Sequence, residues 1–329
     1  MFIPQVYGVA LVMMVLSMLC WGSWANTQKA VGSWRFELFY WDYVAGILLC
    51  ALVVGLTFGR TDPASPDSFF QNLAQASHSN LLLAFAGGAV FNLANLLLVA
   101  AIAVAGLAVA FPIGIGLALV IGSVLNYAIT PKGNPLLLFG GVALVTVAIV
   151  LDALAYRKLS RDRGVSTKGI VLSLLAGVFM GIFYPFVAKT LTGQGHLGPY
   201  TVAAVFAVGV LVSTVPLNYT FMRRPISGPP VRLADYFTGR TAWHLFGVLG
   251  GLIWGVGTIS NFVASYAKMV GPATSYSLGQ GATMVSAVWG VFVWKEFRDA
   301  GPDAVRLLVL MFLFFIAGLA SVALAPIVG

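Results

Sequence analysis

The chain has 329 residues, of which 60% are hydrophobic and 9% charged, with a mean hydropathy of +0.95. A soluble domain carries about 25% charge, so this chain would leave large apolar surfaces in water, and lipid is its solvent. The net charge of +8 does not point to nucleic acid, because the Lys and Arg residues sit in short loops and form no stripe.

A spanning helix needs about 20 mostly apolar residues. Ten segments qualify: 6–26, 42–59, 80–103, 107–129, 136–156, 168–189, 200–222, 243–265, 271–294 and 304–326. The first has no basic stretch before it and no cleavage signature, so it reads as a retained helix. Open sheets cannot span lipid, and the alternation of barrel strands is absent. The expected fold class is therefore an all-α integral membrane protein with ten transmembrane helices. Cys20 and Cys50 lie inside apolar runs and indicate no disulfide framework. The longest connections are 60–79 and 223–242, the former with a short interfacial helix expected at Ser68 to Ala76. Of the 18 Lys and Arg residues, 14 follow odd-numbered segments and 4 lie on the other side. The richest loop holds Arg157, Lys158, Arg161, Arg163 and Lys168. Positive charge marks the cytoplasmic side, which puts loop 157–168 in the cytoplasm and both termini outside.

The two halves echo each other. Gly87-Gly88 matches Gly250-Gly251, Gly106 matches Gly271, and Gly114 and Gly116 match Gly279 and Gly281. Leu16–Trp24 also aligns with Leu175–Phe183, pairing Gly22 with Gly181. Each half holds five segments, and five is odd, so the second enters the membrane from the opposite side. The expectation is two inverted-topology repeats, 1–160 and 161–329, as in many secondary transporters.

Polar groups inside hydrocarbon need partners or water, so their faces point inward. In the first segment Trp21 and Trp24 share a stripe with Ser17 and Gln28; interfacial anchoring is the other role open to the tryptophans. Asn92 and Asn95 stand at i,i+3 in the third segment, ready to bond a solute or a neighbouring helix. Trp254, Thr258 and Asn261, with Ser265, repeat the stripe spacing in the eighth. Aromatic faces with fixed polar groups suit a carbohydrate or a heterocycle. The ninth segment adds Tyr276 and Gln280. Hinge candidates are Pro112, Gly114 and Gly116, Pro185 in the sixth segment, and Gly279 and Gly281, with tight packing the other role for the glycines. The second hairpin is expected to hold the solute and the first to bend.

Ionisable residues are few. Asp42, opening the second segment, is the candidate for proton coupling, and capping of that helix is its other role. Asp152 lies near the cytoplasmic end of the fifth segment, and Glu296 and Asp299 with Lys295 and Arg298 read as a solvated interfacial cluster. HExxH, GxSxG and P-loop motifs are missing, and His78, His196 and His244 sit at loop–helix edges. No enzyme, metal or cofactor is expected.

Several stretches carry a family likeness: LSMLCWGSWANTQKA, the start Tyr40-Trp41-Asp42-Tyr43, AGGAVFNLANLLLVAAIAVAGLAVA, VIGSVLNYAI and AVWGVFVWKEFRDAG. Together with the paired halves they resemble the drug/metabolite transporter superfamily, and within it the ureide permeases and the glucose/rhamnose porter branch. The resemblance implies proton-linked uptake of ureides, nucleobases or sugars, and it places Trp24, Asp42, Asn95 and Asn126 on motif positions. Plant ureide permeases carry a long central cytosolic loop; here Arg157 to Lys168 is short, as in a compact bacterial relative of the inner (plasma) membrane. The expected function is a secondary active transporter of a small neutral polar solute, driven by protons through alternating access. The fifth and tenth segments would be scaffold or homodimer contacts. An exporter working by antiport and a passive facilitator of the same superfamily stay open.

Overall fold

Lipid offers no backbone partners, so each apolar run closes its own hydrogen bonds as a helix. The computed structural model describes residues 1–32, 34–61, 65–159, 166–226 and 228–328. In chain order the helices are α1 (Tyr7–Ser23), α2 (Ala25–Ala30), α3 (Phe36–Thr57), α4 (Phe69–Gln75), α5 (His78–Ala105), α6 (Leu107–Ile129) and α7 (Pro135–Leu159). They continue as α8 (Thr167–Thr190), α9 (Pro199–Arg223), α10 (Leu233–Phe237), α11 (Thr241–Tyr266), α12 (Pro272–Gly279), α13 (Ala282–Val288) and α14 (Pro302–Leu324). Ser77 and Ser166 cap α5 and α8 by accepting from the N–H groups of Asn80 and Gly169. Pro199, Pro272 and Pro302 fill first turns, where no N–H is needed. Gly106 and Gly271, with φ of +78° and +89°, make the tight turns into α6 and α12. The short α4 lies between Ser68 and Ala76 as expected. Residues 160–165, which include Arg161, Arg163 and the division between the two halves, lie outside the described residues.

Among the described residues nine helices are long and apolar enough to cross a membrane, one fewer than the ten segments expected. The difference is 271–294. Here α12 stops at Gly279, the chain turns at Gln280 and Gly281, and α13 runs on into a π-helical turn, Trp289–Val293. Neither glycine has room for a side chain: a Cβ at Gly279 would strike Trp21 and Asn261, and one at Gly281 would strike Met18 and Leu319. Pro112 and Pro185 sit inside α6 and α8 without ending either helix. The helix is thus broken in the second hairpin and continuous in the first. Gly114 packs under Leu98 and faces Gly177, whereas Gly116 meets only Ile149, at 3.9 Å.

Apolar attraction between helices is weak in lipid, so close backbone approach supplies the contact. α5 packs on α8 and α9, and α11 packs on α1 and α3; α6 meets α8, and α12 and α13 meet α1. α3 meets α9, and α7 meets α14. Glycines open the crossings in matched pairs. A Cβ at Gly46 would overlap the Val248 carbonyl, and one at Gly209 the Phe85 carbonyl. Gly88 lies against the Phe206 carbonyl, and Gly251 against that of Tyr43. One shift in numbering relates Gly46 to Gly209, Phe85 to Val248, Tyr43 to Phe206 and Gly88 to Gly251. Gly22 against Ala282 and Val285 has its counterpart in Gly181 against Ala118 and Ile121. Gly141 and Gly318 each face the other's carbonyl.

These crossings predict a sharp contrast between two substitutions. Gly251→Ala forces α11 off α3 and should lower both abundance and the melting temperature of the detergent-solubilised protein by several degrees. Gly140→Ala, in α7 with nothing within 4 Å of the new Cβ, should leave melting unchanged or raise it, since Ala favours a helix over Gly by roughly 0.5–1 kcal/mol. Equal melting temperatures for the two variants would refute the close-approach reading.

Candidate functional site

Between α1, α5 and α11, with α2, α6, α7, α8 and α13 closing the sides, lies a cavity of about 550 Å³. Its base is aromatic. Trp254 stacks on Phe91 at 4.3 Å between ring centroids and lies nearly parallel to Trp21 at 6.3 Å. Phe91 meets Phe183 edge-on at 5.4 Å. Trp21 is fixed by donating its indole N–H to Thr258 Oγ1 (3.0 Å), and Thr258 in turn donates to the Trp254 carbonyl (3.0 Å).

Two carboxamides reach this base. Asn95 lines the cavity and donates to Tyr40 Oη (3.2 Å). Gln280, at the break between α12 and α13, lines it from the other side, and its side chain makes no hydrogen bond among the described residues. Toward the mouth the lining becomes polar: Asn26, Gln28, Lys29, Asp152, Tyr156 and Glu296. Glu296 accepts from Lys29 Nζ (2.6 Å) and from Tyr156 Oη (2.7 Å). Burial works against the Glu296 charge, but these two bonds and the lysine charge outweigh it and hold the carboxyl below its usual range.

At the opposite ends of the helices a hydrogen-bond network ties the chain together. Asn72 donates to the His196 carbonyl (3.0 Å) and accepts from the Gly198 N–H (2.8 Å). Asn80 donates to the Gly195 carbonyl (2.8 Å), and the Ser77 N–H donates to the same oxygen (3.1 Å). His196 also faces Asp67 (3.3 Å) and Tyr266 (3.3 Å). The connection between α8 and α9 is thereby stitched onto α4 and the start of α5.

Of the candidate binding residues, Trp21, Trp24, Asn95, Trp254 and Gln280 line the cavity. The other four stand behind its wall, with their polar groups taken up by protein. Asn92 accepts from Tyr40 Oη (2.7 Å) and donates to Ser213 (2.8 Å). Thr258 holds Trp21. Asn261 accepts from Tyr184 Oη (2.5 Å) and donates to Ser17 (3.1 Å) and the Ser275 carbonyl (2.9 Å). Tyr276 donates to the carbonyls of Ala118 and Met180 (3.0 and 3.2 Å). Asn126 bonds back to Gly122 in its own helix (2.7 Å). Asp42 does not line the cavity either: Tyr236 Oη donates to one of its oxygens (2.6 Å), and His244 Nδ1 meets the other (2.8 Å). Burial and the neighbouring Asp42 carboxylate push the Tyr236 phenol up, which keeps it a donor. Phe91, Phe183, Asp152, Tyr156 and Glu296 are cavity residues that the sequence stripes do not single out.

Known proteins share this chain's pattern along nearly its whole length. The sequence profile of the ureide permease family matches residues 39–168 and 163–325. "Ureide permease 1" of Arabidopsis thaliana is 25% identical over 385 aligned residues, covering 97% of each chain. "Ureide permease 2" of the same plant is 26% identical over 392, covering 97% of this chain and 98% of its own. "Putative ribose uptake protein RbsU" of Latilactobacillus sakei subsp. sakei (strain 23K) is 20% identical over 270, covering 81% of this chain and 86% of its own. A solved structure described only as "Crystal structure of protein" shares the fold, with a TM-score of 0.61 at 13% identity, covering 95% of this chain and 98% of its own. The chain belongs to the ureide permease family, whose members are membrane transporters and not enzymes.

Proposed function

We propose that this protein is a secondary active transporter that takes up a small neutral polar solute with protons, by alternating access between the halves 1–160 and 161–329. The observation that carries the reading is the cavity, aromatic at its base and polar at its mouth, with hydrogen bonds joining the α8–α9 connection to α4 and α5 at the other end of the helices. The mouth residues Lys29, Tyr156, Trp294 and Glu296 lie beside the Lys- and Arg-rich loops, which the positive-inside rule assigns to the cytoplasm. The conformation is then inward-facing.

The matched glycine crossings support inverted repeats. Exchanging the halves sends the α5–α9 contact to α11–α3 and the α5–α8 contact to α11–α1, and it returns α7–α14 to itself. Two such halves rocking about one central site expose it first to one side and then to the other.

The base of the cavity favours a flat, uncharged ligand. An indole face stacks on a ring, and a carboxamide offers one donor group and one acceptor, the complement of a ureido N–H and C=O. A ureide or a nucleobase is the first reading, in keeping with the names of the Arabidopsis relatives. A ribose-like sugar is the second, favoured by the uptake protein of Latilactobacillus, since indole faces also stack on sugar rings.

The test is uptake of radiolabelled hydantoin into proteoliposomes, with uracil and ribose as competitors. Hydantoin uptake should be competed more strongly by uracil than by ribose. Trp254→Ala and Gln280→Ala should each lower the initial rate about tenfold, the equivalent of ~1.4 kcal/mol, at unchanged abundance. Full rates in both variants would remove the site. Competition by ribose alone would replace the ureide with the sugar.

A further inference from the structure

Among the described residues Asp152 is the acid in the cavity that has no partner. It lies in α7, lines the cavity, and is 8% exposed. Its Oδ1 has no hydrogen-bond partner among the described residues. One helical turn on, Tyr156 spends its hydroxyl on Glu296, and Glu296 takes up the charge of Lys29 (2.6 Å). The nearest base at the mouth is thus already paired, and the nearest acid repels a charge on Asp152. Among the described residues the neighbouring elements supply no other counter-ion. On α14, Asp303 pairs with Lys158 at the surface (3.7 Å) and Arg306 is exposed. Among the described residues of α6 the titratable side chain is Tyr127, at the end away from the mouth. Lys295 and Arg298 are exposed in the turn after the π-helical segment.

A carboxylate held out of water without a partner costs several kcal/mol and is rarely left so. It takes up a proton or a cation, and here the cavity offers the approach. We propose that Asp152 is the proton-carrying residue of the transporter: its carboxylate accepts a proton from hydronium in the cavity, leaving water, and returns it to water when the cavity faces the other side. Neutral, Asp152 is far less costly to bury than the carboxylate, and it lets the cavity close. Charged, it holds the cavity open to water. This role rests on the transport reading above, and it moves the coupling function from Asp42, whose two oxygens are both engaged outside the cavity.

Two measurements on protein in liposomes separate the residue from the reading. The first is infrared titration of the protonated-carboxyl stretching band. Asp152→Asn should remove a titrating band that wild type shows, and Asp152→Glu should restore one. The second is uptake of radiolabelled hydantoin driven by an imposed pH gradient, compared with hydantoin counterflow without a gradient. In Asp152→Asn counterflow should persist, pH-driven accumulation should be lost, and Asp152→Glu should recover part of it. An unaltered band in Asp152→Asn, or pH-driven accumulation equal to wild type, overturns the assignment. A wild type that shows the Asp152 band but never accumulates hydantoin under a pH gradient overturns the proton-coupled reading instead, with Asp152 still identified as a protonating group.

Discussion

Close backbone contact at glycine is the constraint on which this structure depends. Two apolar helices in lipid gain nothing from burying side chains that lipid would cover equally well. They hold together where Gly46 and Gly251 bring α3 onto α11, and where Gly88 and Gly209 bring α5 onto α9. These four glycines join elements from the first and second halves of the chain, so neither half is packed by itself. The Gly141 and Gly318 contact binds α7 to α14 at the periphery in the same manner. What the crossings leave open in the middle is the cavity.

The cavity combines two kinds of wall. Near its base, interlocked aromatic rings and buried hydrogen bonds fix Trp21, Trp254 and Asn95 in place. For the solute proposed above, such preorganisation would reduce the ordering cost of binding. Asn92, Asn261 and Tyr276 belong to this support, because each is held between helices by protein groups alone. Near the mouth, Lys29, Tyr156 and Glu296 form a short polar chain between the end of α2, α7 and the segment after α13. Breaking that chain separates elements drawn from both halves, which makes it a natural partner to the hydrogen-bond network around Asn72 and His196 at the other end.

Much of this was legible in the residues. Nine spans, the turn glycines Gly106 and Gly271, the short α4 and the cavity positions of Trp21, Asn95, Trp254 and Gln280 all follow from apolar run length, glycine placement and stripe spacing. The rest fails for definite reasons. The rule that polar groups in lipid face inward cannot say whether the partner is a solute or another helix, so Asn261 and Asn95 look alike in sequence although only Asn95 lines the cavity. Gly279 and Gly281 read as packing glycines flanking a polar residue, and whether a helix breaks there depends on Trp21 and Met18, which arrive from a distant helix. Asp152 and Glu296 sit near segment ends, where charge is ordinarily solvated. The fold buries Asp152 and leaves Glu296 exposed at the mouth, paired with Lys29 and Tyr156. The likeness to ureide permeases is spread over most of the chain rather than resting on single residues.

Alternating access is tested most directly by paired distance measurements on spin-labelled protein in liposomes. One label pair spans the end opposite the mouth, at Gln75 and Thr192; the other spans the mouth, at Ala103 and Lys295. All four residues are exposed. Adding hydantoin at low pH should populate a state in which the first distance lengthens as the second shortens. Two distances that stay fixed, or that change in the same sense, would mean that the halves do not rock about a central site.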